Sequence, residues 1–244
     1  MAVLDPPAPT PAPTPVASPA RGRWLVALSA ALAAAAAVLT VGVVRSDLLP
    51  GEAATSRWLS ARTNWASEPL VDLVDVAFDE VAAPVIFFCL LPIVWIGWGR
   101  YAGLTFLGAG ALTGLTKVVD AVGRPRPTED LTLGEFAYGS GGYPSGHTVY
   151  AVLVFGTLAY LAGVHLPRSR ARMALQAGLV AIPVLVGPLR VMDEDHWPAD
   201  VVGGYLLALP ALFAVIWLHR HLPGWLERHA PGLRRVVGVD GASQ

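Results

Sequence analysis

Three short stretches of this chain carry residue types that hold and cleave phosphates. The first runs Lys117-Val118-Val119-Asp120-Ala121-Val122-Gly123-Arg124-Pro125. Lys117 and Arg124 are seven positions apart, about two helical turns, so both can point the same way from a helix end. Taken alone, they also read as a snorkelling lysine beside a solvated arginine turn. The second stretch is Pro144-Ser145-Gly146-His147, directly before the apolar run VYAVLVFGTLAYLAGV. A helix beginning there exposes unpaired N–H groups and the positive end of its dipole. Ser145 suits the N-cap, and Gly146 lets the backbone approach a ligand. That combination is an anion cradle, although an ordinary capped helix with an interfacial histidine would look the same. The third stretch contains Arg190, His196 and Asp200. His196 and Asp200 are four apart, the spacing that puts both on one helix face, with Pro198 suited to a first turn. A carboxylate beside an imidazole fixes its tautomer and steadies its cation, whereas the bland alternative is a surface pair.

Each stretch is weak alone. Together they supply three cations, an anion-binding helix end, two histidines and a carboxylate, an inventory for phosphoryl transfer without a metal. The run Asp193-Glu194-Asp195 reads as a solvated acidic turn, since it lacks the spaced ligands of a cation cage. No metal and no cofactor is expected. Net charge is −1, so no attraction to nucleic acid is expected. The single cysteine, Cys89, lies in an apolar run and supports no disulfide framework.

The elements that must position these residues are membrane spans. The chain is 54% hydrophobic and only 14% charged, well short of the ~25% charged residues of soluble domains. Apolar segments cover approximately 24–44, 81–99, 101–119, 147–166, 173–190 and 200–218, each near the ~20 residues that cross a bilayer. The first is longer than a signal-peptide core, so it reads as a retained span. Residues 173–190 are the least regular because they hold Gln176, Pro183 and Pro188, which neighbouring helices must cover. Between the first two spans, Leu59, Trp65, Leu70, Leu73, Val74 and Ala77 among charged residues suggest short interfacial helices. The expectation is an all-α integral membrane protein, a bundle of six transmembrane helices over residues 23–219. A Pro-rich disordered tail, 1–22, precedes it, and a basic tail, 220–244, follows. Arg100, Arg168, Arg170, Arg172, Arg220, Arg228, Arg234 and Arg235 fall on the side of both termini, which is therefore read as cytoplasmic. The three stretches then share the outer face.

The pattern Lys-x6-Arg-Pro, Pro-Ser-Gly-His and Arg-x5-His-x3-Asp, running from Lys117 to Asp200, resembles the three-part signature of the type 2 phosphatidic acid phosphatase superfamily. That superfamily includes polyprenyl diphosphate phosphatases, glucose-6-phosphatases and vanadium haloperoxidases. The resemblance implies that His196 is the nucleophile, Asp200 its orienting carboxylate and His147 the acid on the leaving group. It further implies that Lys117, Arg124 and Arg190 bind phosphate, with Ser145 and Gly146 in the cradle. The sequence departs from the pattern at Leu189, where the family usually has serine, so one hydroxyl contact is absent.

The expected activity is hydrolysis of a lipid phosphate or diphosphate at the outer face of the cell membrane, through a phosphohistidine. A polyprenyl diphosphate is the first choice of substrate. Phosphatidylglycerol phosphate, phosphatidic acid and a prenyl-linked sugar phosphate are alternatives, because the motifs read phosphate and not the tail. Two rivals share the pocket: a lipid phosphotransferase, and a lipid-phosphate transporter or binding module. The His196–Asp200 pair argues for covalent chemistry over binding alone.

Overall fold

The computed structural model describes residues 19–46, 48–114, 116, 124–127 and 142–239, with side chains from Trp24 onward. The described residues are helical and contain no strand. In chain order the helices are α1 (Pro19–Arg45), α2 (Glu52–Ser60), α3 (Glu68–Ala77), α4 (Ala82–Trp98), α5 (Arg100–Leu112), α6 (Gly146–His165), α7 (Arg170–Met192), α8 (Pro198–His229) and α9 (Pro231–Val237).

Among the described residues, α1, α6, α7 and α8 are each long and apolar enough to cross a membrane. A fifth crossing is possible if α3 and α4, which meet at 73°, form one broken span. The α4 helix alone has 17 residues and α5 has 13, so neither reaches that length within the described residues. Large apolar side chains face outward along several helices, among them Val38, Phe88, Ile93, Ile96, Val184 and Trp217. Such a surface is stable against lipid and not against water.

The α6 helix is the axis of the bundle. It carries Ala151, Leu153, Val154, Leu161 and Ala162 with no exposure, and it packs on α5, α7 and α8. Phe87 and Phe106 stack beside Val154 and Leu158 in one apolar cluster. Val149, Val152 and Leu153 meet Ala208 and Leu212 of α8 in another. A helix so heavily buried gives the side chains at its first turn a fixed position.

The described helices bear on three expectations. Helix α1 starts at Pro19, inside the segment read as a tail, since proline is well tolerated in a first helical turn. Residues 220–239 are not a tail either: α8 continues to His229 and α9 follows. Leu226 and Val239 are buried against Tyr101 of α5, so apolar packing holds this end despite its arginines. The segment between the first two spans does form two short helices. However, α3 turns Val71 and Val74 inward against Val186 and Leu189 of α7, so one of its faces is protein-covered. The 1–18 part of the expected tail, the 240–244 end and the 117–119 end of the third expected span lie outside the described residues.

Candidate active site

The capped start of α6 forms as its residues require. Ser145 caps α6, its hydroxyl accepting from the Thr148 N–H at 3.3 Å and from the Thr148 hydroxyl at 3.1 Å. Its own N–H donates to the Asp200 carbonyl at 3.0 Å, which ties the start of α6 to the start of α8. This approach depends on glycines. A Cβ on Gly203 would lie 2.6 Å from the Tyr143 ring, and one on Gly204 would lie 2.9 Å from Thr148. Tyr143 is fully buried, and its hydroxyl is 2.8 Å from that of Thr40 on α1. Gly146, in contrast, borders open space: a Cβ there would meet nothing within 4 Å.

His147, on the first turn of α6, faces His196 across the site. Its Nδ1 lies 3.2 Å from the His196 Nε2. His196 does not lie on a helix with Asp200, as the four-residue spacing suggested. It precedes α8, whose N-cap is Trp197 and whose first residue is Pro198. Asp200 folds back as a capping residue, accepting the Trp197 N–H at 2.8 Å. The His196 Nδ1 sits 3.6 Å from the Asp200 Oδ2 and has no hydrogen-bond partner among the described residues. Its Nε2 is left for the site.

Arg190, at the end of α7, is only 3% exposed and is ringed by acids. Its Nη1 lies 3.0 Å from Asp75 and 2.9 Å from Asp193, and its Nη2 lies 2.5 Å from Asp195. The other oxygen of Asp195 pairs with Arg126. Burial opposes the charge on Asp195, yet His196, Arg190 and Arg126 together hold its carboxyl below the usual range. For Asp193 burial wins over Arg190, and its carboxyl is pushed up. The acidic run is therefore not the solvated turn expected. Two of its carboxylates are spent on Arg190.

Arg124 departs from its expected place. It is 2% exposed and is not in the cavity wall described below. Its Nη1 donates to Asp200 at 2.6 Å and its Nη2 to Glu52. Burial disfavours its charge, but Glu52 and Asp200 outweigh this and raise its pKa. Glu52 also accepts the Ala199 N–H at 2.9 Å and the Leu49 N–H at 2.6 Å. Arg124, Glu52 and Asp200 thus form a buried charged hub under the start of α8. Leu189 faces away from the site, buried with Val71, Val74, Ala151 and Val186, and Lys117 lies outside the described residues. The sequence reading missed Glu52, Arg126 and Asp195. Arg126 carried a usable signal, being the second arginine of the same Arg-Pro-Arg-Pro run.

A cavity of about 850 Å³ joins these parts. One end is walled by Gly146, His147, His196, Arg126, Arg190 and Asp195. The other runs between α4 and α5, along Pro84, Phe87, Phe88, Leu107 and Ala111. Such a space suits a molecule with an anionic head and an apolar body. His147, Asp195 and His196 bring one donor atom each within 4.8 Å of one another, close enough to hold a cation. Asp195 already neutralises two guanidinium groups, and their positive charge opposes a metal ion there.

Comparisons with known proteins identify the family. A family model described as the PAP2 superfamily matches residues 98–223. Phosphatidylglycerophosphatase B of Bacillus subtilis is 28% identical over 187 residues, which is 74% of this chain and 87% of that protein. Lipid A 1-phosphatase of Rhizobium johnstonii is 31% identical over 131 residues, covering 50% of this chain and 48% of that one. Among solved structures, a transmembrane PAP2-type phosphatidylglycerolphosphate phosphatase from Bacillus subtilis shares the fold. It has a TM-score of 0.61 at 24% identity, over 79% of this chain and 96% of that one. With more than half its length matched by the family model, and with His147, Arg190 and His196 at one cavity, the chain belongs to the PAP2 superfamily and is a membrane lipid phosphatase.

Proposed function

We propose that this phosphatase removes the terminal phosphate of a lipid phosphate or diphosphate through a phosphohistidine on His196. The observation that supports this most is the facing pair of histidines, 3.2 Å apart, at the cationic end of a cavity whose other end is apolar. His196 Nε2 attacks phosphorus and the bond from phosphorus to the leaving oxygen breaks. His147 gives that oxygen a proton. It then takes a proton from a water that attacks the phosphohistidine, which releases phosphate and restores both rings. Asp200 orients His196 and stabilises its cation. Arg190, Lys117 and the N–H groups near Ser145 and Gly146 bind the phosphate oxygens. Arg124 acts through Asp200 as a positioning residue. In-line attack needs a nucleophile about 3–3.5 Å from phosphorus and an acid within hydrogen-bond reach of the leaving oxygen on the far side. Two nitrogens 3.2 Å apart cannot satisfy both, so substrate entry must part the rings.

The same reading has six membrane crossings, with α4 and α5 the shorter two, and a phosphatase domain that runs past residue 219 to the end of α8. Arginine placement supports cytoplasmic termini and an outer active site. A polyprenyl diphosphate remains one candidate substrate. Phosphatidylglycerol phosphate is the second, and the name of the relative matched over 87% of its length favours it.

The test is phosphate release by purified protein in detergent, from a panel holding both lipids, phosphatidic acid and a prenyl-linked sugar phosphate, with and without EDTA. The proposal expects release from at least one lipid, unaffected by EDTA within a few-fold. Release that requires a divalent ion would overturn the mechanism, and no release from any lipid would overturn the substrate class.

A further inference from the structure

We infer that Asp195 is an internal stand-in for the substrate phosphate, filling the anion position of the resting enzyme and leaving it when the lipid binds. The inference rests on the function proposed above. It starts from a conflict: an enzyme that binds an anion should present unoccupied cations, yet both arginines in the cavity wall are already paired with a carboxylate. One oxygen of Asp195 lies 2.5 Å from the Arg190 Nη2, 3.2 Å from its Nε and 3.4 Å from the His196 Nε2. The other oxygen pairs with Arg126. A single carboxylate thus bridges two guanidinium groups and touches the nitrogen assigned as nucleophile, the set of contacts a phosphoryl group in position for attack would make.

The other acids on Arg190 do not occupy that place. Asp75 and Asp193 both pair with its Nη1, the side away from Asp195. Their side chains are 61% and 33% exposed, against 16% for Asp195. The loop is built to hold Asp195 inward. The Asp195 and His196 N–H groups both donate to the Arg190 carbonyl, each at 3.2 Å. Glu194, just before, has φ of 59°, a left-handed conformation that a residue with a Cβ adopts only when its surroundings impose it. A phosphate with more than one negative charge meets the carboxylate as a competitor for the same donors. Asp195 therefore weakens binding of substrate and of product phosphate together, which keeps the released phosphate from lingering.

The test compares three proteins in detergent: wild type, Asp195→Asn and Asp193→Asn. Each variant removes one charge beside Arg190, but only the first removes it from between the arginines. Inhibition by inorganic phosphate is measured alongside KM for a lipid phosphate. Asp195→Asn should tighten phosphate inhibition by about tenfold or more and lower KM, as expected when a competing charged hydrogen bond is lost. Asp193→Asn should change either value by less than about threefold, since its carboxylate is more exposed. Weaker or unchanged phosphate binding in Asp195→Asn would overturn the inference and make Asp195 a brace for the arginines. Equal tightening in both variants would also overturn it, reducing the effect to net charge. If Asp195→Asn fails to fold, Asp195→Ser gives the same comparison. Direct titration of inorganic phosphate onto each protein by calorimetry tests the inference even if no lipid is hydrolysed, so its failure can be told from failure of the functional proposal.

Discussion

Two buried histidines, one just before α8 and one well inside it, differ in their surroundings. His196 lies just before the first turn, and His219 lies ~30 Å further along the helix at 1.5 Å per residue. Both are under 10% exposed. His219 is enclosed by groups that satisfy it. Its Nδ1 is 2.7 Å from the Thr105 hydroxyl, its ring stacks on Tyr101 at 4.5 Å, and Tyr160 meets it edge-on. The Tyr101 hydroxyl donates to its carbonyl at 2.6 Å. His196 instead has an Nδ1 without a hydrogen bond among the described residues, an Nε2 open to a cavity, and Asp195 with its two arginines alongside. Hydroxyls and rings make one histidine a lock between α5 and α8. Cations, a second imidazole and empty space suit the other to the reagent's role proposed above.

The sharpest way to break this contrast is at the reagent end. His147→Ala should lower kcat on a lipid phosphomonoester by about 10²–10⁴-fold, the usual range for general acid catalysis. The loss on a diphosphate should be smaller, because the departing phosphate is a weaker base than an alkoxide. Equal losses on both substrates would mean that His147 positions rather than protonates. Next comes the hub. Arg124→Ala leaves Glu52 and Asp200 buried without their cation, and unfolding in detergent should show a loss of about 3–5 kcal/mol. Because Arg124 reaches the chemistry through Asp200, kcat should fall with KM nearly constant. A large rise in KM at unchanged stability would place Arg124 on the phosphate instead.

Two smaller effects bear on residues outside the cavity. Leu189→Ser puts a hydroxyl among Val71, Val74 and Val186 and should cost about 2–4 kcal/mol of stability with no gain in turnover. A faster enzyme would show that the position faces substrate after all. His219→Phe keeps the stack on Tyr101 but loses the Thr105 bond, so about 1 kcal/mol of stability should go while kcat stays within twofold. A large drop in kcat would dissolve the distinction between lock and reagent.

Much of the candidate site was legible because its parts are local. Ser145 and His147 are two residues apart, and Arg190, His196 and Asp200 span eleven positions, so cap chemistry and short spacing suffice to group them. Partners distant in sequence were not legible. Glu52 meets Arg124 across 72 positions, and only packed backbones bring them together. The two arginines of the Arg-Pro-Arg-Pro run look alike in sequence. They part because the Arg124 carbonyl receives the Gly142 N–H at 2.7 Å and its side chain turns under α8, while Arg126 reaches the cavity. The acidic run was misread for a related reason: charge composition says solvent, but three guanidinium N–H groups of Arg190 hold Asp193 and Asp195 half-buried against it. Apolar periodicity located α1, α6, α7 and α8 well. It missed the helical 220–239 end, where Leu226 and Val239 pack on α5 beneath a surface rich in arginine.

The central claim is that His196 carries the phosphoryl group, and rapid quench with a ³²P-labelled lipid phosphate tests it most directly. Wild-type protein should show label that is labile in acid and stable in base, as a phosphohistidine is. His147→Ala should still accumulate that label from a diphosphate, and His196→Ala should show none. Label persisting in His196→Ala, or vanishing in His147→Ala alone, would contradict the account.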